Sequence, residues 1–182
     1  MVVDLSDTAM VAAQGAGSAA LASLDLPKSF DELLLRRTEA LAQKLTQNFA
    51  DAGIDVDSKI ALQVDSSGRI RTDGPQKERI EQFFRDNPEI AKEVRDVASL
   101  NTMKAAAEAL RRYNEEMKSA HDKDSQSAVR DRYTTRSLRI QELSGSLTLE
   151  DGKLTSAAVE YADSLSPADD KARSRNQTDV LT

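Results

Sequence analysis

The sequence predicts a mainly α fold: a helical bundle or extended helical hairpin that carries one or two short β-hairpins. Three observations predict it. Apolar residues recur at three- and four-residue spacing through most of positions 29–143, the mark of amphipathic helices. The run Ile60–Thr72, IALQVDSSGRIRT, instead alternates with period two about a glycine turn. A second alternating stretch, Leu147–Thr155, is centred on Asp151-Gly152, a dipeptide favoured in type I′ hairpins.

The first helix begins at Ser29, a good N-cap, with Asp31 and Glu32 at the positive end of its dipole. Phe30, Leu34, Leu41, Leu45 and Phe49 mark its apolar face, and Gly53 stops it. Ahead of it, Met1–Lys28 reads as a flexible segment. Its small-residue stretch is no Sec signal, because Asp4 and Asp7 stand where a positive region should be.

In the first hairpin, Ile60, Leu62 and Val64 alternate, and Gly68 can take the left-handed conformation that closes a three-residue loop. That loop sets Val64 opposite Ile70 and Leu62 opposite Thr72. A two-residue Ser66-Ser67 loop would put Ile70 beside Gln63 and split the apolar face. Gln63 and Arg71 then point outward, and a helix must cover the other side.

Gly74-Pro75 launches a shorter helix carrying Ile80, Phe83 and Phe84. At Asn87-Pro88, Asn87 can cap and Pro88 is preorganised for the first helical position. From there Ile90, Val94, Val97, Leu100, Met103, Ala107, Leu110 and Met117 follow one face to about Ala120, with the wandering spacing of a long bundle or coiled-coil helix. Ala105-Ala106-Ala107 would permit close helix packing. His121–Asp124 is a polar break, and a further helix carries Val129, Tyr133, Ile140 and Leu143 to Ser144-Gly145. The second hairpin sets Leu149 opposite Leu154 and Glu150 opposite Lys153, on strands of about three residues. Two lone hairpins would each be marginal, so one arrangement joins them in a single sheet. Ala157–Leu165 suits a last short helix, and Ser166–Thr182 reads as a disordered tail. The expected organisation is therefore 1–28, a helical domain over 29–165, and 166–182.

Composition narrows the function. Among 182 residues, 31% are charged and only 4% aromatic, so alanine and aliphatic side chains must build a thin core. A net charge of −6, with basic and acidic residues interleaved through Pro75–Gly145, argues against nucleic acid. The absence of cysteine excludes disulfides and thiolate chemistry. No apolar run is long enough to span a membrane.

Residues with chemical potential are few. Asp55, Asp57, Asp65 and Asp73 cluster about the first hairpin, but Asp65–Ile70 lacks the alternating donors of a calcium loop. The single histidine, His121, sits in the polar break with no signature of a nucleophile or orienting carboxylate. Arg132, Arg136 and Arg139 share a helical face near Arg130, as a phosphate or acidic-partner patch or as a solvated, ion-paired face. No catalytic, cofactor or metal residue is assigned. The candidate protein interface is the stripe Ile90, Val94, Val97, Leu100, Met103, Leu110 and Met117, with the Phe30–Phe49 face beside it.

The run Ala52–Ala98 resembles a helix–hairpin–helix module that recurs in uncharacterised proteobacterial proteins. The resembling features are Ala52-Gly53-Ile54-Asp55 before the strand, the Asp65-x-x-Gly68 turn, and the helix from Ile80 to Asn87-Pro88-Glu89. It covers about a quarter of the chain and implies a bacterial source, with no activity attached. The expected function is a non-enzymatic interaction or structural protein, self-associating or binding a protein partner through its helices, in the cytoplasm. One alternative is a substrate or effector exported without a Sec signal, and another is a hydrolase or metal-dependent enzyme.

Overall fold

The structure, a computed structural model, describes residues 29–165. The segments expected to be flexible over 1–28 and disordered over 166–182 lie outside the described residues. The chain divides into a unit ending at Leu33 and a unit from Leu34 onward. In the first, the described residues open helix α1 (Phe30–Asp51), where the Ser29 hydroxyl accepts from the Glu32 amide at 3.2 Å.

Within the second unit, strands β1 (Ile60–Val64) and β2 (Ile70–Thr72) are followed by α2 (Lys77–Asp86), α3 (Pro88–Ser119) and α4 (Lys123–Glu142). Strands β3 (Ser146–Glu150) and β4 (Lys153–Ser156) and helix α5 (Ala157–Ser164) complete the described residues. The four strands make one antiparallel sheet in the order β2-β1-β3-β4. The two hairpins therefore join, β1 pairing with β3 through Leu62↔Leu147 and Ile60↔Leu149. This shared edge explains why β3 and β4 run five and four residues, longer than their hairpin alone would sustain.

Both registers follow the residue types. Val64 faces Ile70 and Leu62 faces Thr72, while the Asp65 amide donates to Arg69 O at 2.8 Å across the three-residue loop. Gly68, at φ 76°, supplies the left-handed residue that loop requires. In the second hairpin Leu149 faces Leu154 about Asp151 and Gly152, at φ 49° and 70°. Arg71 lies on the outer face opposite buried Ile70 and Thr72, where its Nη1 is 3.2 Å from Glu81 Oε2 on α2. One detail differs from expectation. Asn87 closes α2 instead of capping α3: its side-chain amide donates back to Phe83 O at 2.8 Å.

The main core lies between α1, α2, the first half of α3 and one face of the sheet. Phe49, Phe83 and Phe84 meet edge to face with centroids 5.0–5.8 Å apart. Each such contact adds about 0.5–1.5 kcal/mol beyond area burial, which matters where aromatics are this scarce. The second half of α3 packs against α4 and α5 around Ala105, Ala109, Ile140, Ala158 and Ala162. Here small residues let helix backbones approach, so little apolar volume is needed.

Candidate functional site

The expected stripe on α3 does not remain one face. Val94 and Val97 are core residues, and Ile90 packs against that core half-buried. Beyond Val97 the buried line passes through Ala98, Asn101, Ala105, Ala109 and Arg112. Leu100 and Met117 are half-buried, while Met103 is 60% and Leu110 47% exposed. The reading of a single apolar seam is therefore corrected. The interior selects alanines because α4 and α5 lie close, and the larger residues turn outward.

What turns outward forms a pattern. Ser99, Met103, Ala106, Ala107, Leu110 and Asn114 are all exposed and fall along one line of α3, without a charged residue among them. Their order is polar, large apolar, small, small, large apolar, polar. It is symmetric about the midpoint of Ala106 and Ala107. Leu35 and Leu138 are also exposed, each on a different helix.

Three of the four arginines of α4, Arg132, Arg136 and Arg139, are ion-paired. Arg132 Nε lies 3.1 Å and Arg136 Nη1 2.7 Å from the carboxylate of Glu116 on α3, and Arg139 meets Glu142 at 2.9 Å. The contact of Arg136 is ionic and out of line for a hydrogen bond. His121 is exposed in the link between α3 and α4. Beside it, Asp122 caps α4, accepting from the Ser125 amide at 2.8 Å.

The hairpin aspartates do local work. Asp65 Oδ1 accepts from the Ser67 amide at 2.9 Å, the Ser67 hydroxyl at 2.5 Å and the Arg69 amide at 2.9 Å. Asp55 Oδ1 accepts from the Asp57 amide at 3.0 Å, and Asp73 pairs loosely with Lys77 at 3.9 Å. Among the described residues no group of three or more histidines and carboxylates is placed to hold a metal. Nor is any described helix long and apolar enough to cross a membrane.

One concave feature was not legible in the sequence. A cleft of about 240 Å³ opens where the first hairpin meets α2 and α3. Arg69, Arg71, Arg85 and Arg95 line it together with the carboxylate of Glu81, beside the apolar Ile70, Phe84, Pro88 and Ala91. Arg71 is held by Asp65 and Glu81, each at 3.2 Å, and Arg69 lies 3.6 Å from Asp65. Arg85 and Arg95 meet only neutral oxygens: Gln82 Oε1 at 2.7 Å and Gly68 O at 3.1 Å. These residues come from three elements and only the topology assembles them. Compared with family models, curated proteins and solved structures, the chain matches none of them.

Proposed function

We propose that this chain is a non-enzymatic interaction protein that associates with a second copy of itself through the outer line of α3. The observation that carries this reading is the uncharged, symmetric row from Ser99 to Asn114. In a chain with 31% charged residues, a solvent-facing helix line normally carries several charges. An antiparallel twofold pairing centred between Ala106 and Ala107 would set Met103 against Leu110 of the other copy, twice. The central alanines would let the helices approach closely, and Ser99 would meet Asn114 at each end. A twofold interface must be self-complementary in this sense.

Size sets the strength. Fifteen steps along α3 span about 22 Å, and one helix is roughly 10 Å wide, so each copy offers about 220 Å². A standard interface buries about 800 Å² per partner, so the association is weak and reversible. Sedimentation velocity from about 10 μM to 1 mM tests it. The expected result is a monomer–dimer equilibrium with a dissociation constant between about 10 μM and 1 mM. A single monomeric species across that range would overturn the reading.

A further inference from the structure

We propose that the arginine-lined cleft between the first hairpin, α2 and α3 binds a carboxylate-bearing segment of an acidic, partly apolar peptide. The charges within it are unevenly balanced. Asp65 and Glu81 neutralise the Arg69–Arg71 side, whereas among the described residues Arg85 and Arg95 have no carboxylate within ion-pair distance. Their hydrogen-bond partners are neutral, and Asp96, which feels the Arg95 charge, already pairs with Lys92. A planar fork held in this way matches a carboxylate with little ordering cost. The start of the 32-residue α3 at Pro88 adds the partial positive charge of a helix N-terminus on the same wall.

The apolar lining selects among anions. Ile70, Phe84, Pro88 and Ala91 offer apolar contact beside the arginines, which suits a carboxylate flanked by an apolar side chain. Proline at the first helical position has no N–H, so the helix end lacks one of the donors that a phosphate cradle uses. A flat anionic membrane cannot follow the concave wall. The net charge of −6 makes a local basic recess necessary for any acidic partner, and it disfavours long polyanions. The inference does not depend on self-association, since the cleft is built from residues outside the 99–114 line.

The test uses the full chain and a fluorescein-labelled, end-capped hexapeptide of alternating aspartate and phenylalanine. Anisotropy gives the affinity, and the Nε–Hε resonances of Arg85 and Arg95 report the place. The expected result is saturable binding that shifts both resonances and weakens as salt rises. Arg85→Gln should weaken binding roughly tenfold, the usual worth of a charge-assisted hydrogen bond, and Arg130→Gln on exposed α4 should leave it unchanged. Arg85 is exposed and its side-chain hydrogen bonds go only to Gln82, so that variant should keep the fold, which circular dichroism checks. Equal binding by the wild type and Arg85→Gln overturns the proposal, as does equal binding of the asparagine-for-aspartate peptide. Stronger shifts of the same resonances by inorganic phosphate, or by phosphatidylserine-containing vesicles, would reassign the cleft to those anions and equally overturn it.

Discussion

Asp65 and Arg71 face each other across the mouth of the first hairpin, Arg71 Nε lying 3.2 Å from Asp65 Oδ2 while Arg71 Nη1 reaches Glu81 on α2. The turn that closes the hairpin is thus wired to the helix that follows it. The Ser67 hydroxyl, then the Arg69 amide and the Arg71 guanidinium, hold the Asp65 carboxyl well below the usual carboxylate range. A carboxyl depressed in the folded state stabilises it above the unfolded value near 4 and loses that effect as pH falls through and below it.

Asp65→Asn should therefore lower the urea midpoint at pH 7, and the gap to the wild type should narrow as pH drops below about 4. Paired melts at pH 7 and pH 3 measure this directly. A gap that does not change with pH would mean that the side chain acts through shape, not charge.

Gly145 and Gly152 both adopt left-handed backbone, at φ 79° and 70°, but in different surroundings. A Cβ on Gly152 meets nothing within 4 Å, whereas on Gly145 it would lie 2.9 Å from Val64 O. The Val64 amide donates to Gly145 O at 3.0 Å, so the two segments cannot separate without losing that bond. Gly152→Ala should cost about 1–2 kcal/mol from conformation alone. Gly145→Ala should cost at least about 3 kcal/mol, with the lost bond added. Denaturant melts that rank the two equally would remove the steric account.

Arg112 is 6% exposed on α3, and its Nε and Nη2 make no hydrogen bond. Burying a guanidinium costs desolvation, and the nearby Glu108 charge offsets it without a hydrogen bond to Nε or Nη2. Arg112→Met should leave stability within about 1 kcal/mol of the wild type or raise it. Arg136, similarly buried, meets Glu116 at 2.7 Å, so Arg136→Met should cost about 1–3 kcal/mol, with Arg132 retaining part of the carboxylate's pairing. Thermal melts ordering these two the other way would show that the Arg112 site holds a partner in solution.

The hairpins were legible because strand register is a parity problem. One glycine at the left-handed position and two alternating runs admit a single arrangement that keeps Leu62, Val64 and Ile70 together, and Asp151-Gly152 does the same for Leu149 and Leu154. The course of α3 was less legible. Following the largest apolar residues led from Val97 to Leu100 and Met103, but the packed face continues through Ala98, Ala105 and Ala109. Burial there depends on how near α4 and α5 come, and that distance is a tertiary quantity. The arginine cleft was illegible for a similar reason. Arg69 and Arg95 are far apart in sequence and become neighbours only when the Gly68 turn folds onto α3.

The twofold pairing of α3 makes a prediction about register. Met103→Glu and Leu110→Lys should each abolish self-association, because each places an unpaired charge against an apolar residue of the other copy. Neither should shift the melting midpoint of the monomer by more than about 0.5 kcal/mol, since both side chains are exposed. Mixed together, the two variants should associate again. In an antiparallel pair, Glu at 103 of one copy meets Lys at 110 of the other, and the remaining contact is the native Leu110–Met103 pair. A parallel pair would instead set each charge against its unmodified counterpart and gain nothing. Sedimentation of the separate and mixed variants decides between them, and a mixture that stays monomeric would rule out the antiparallel register.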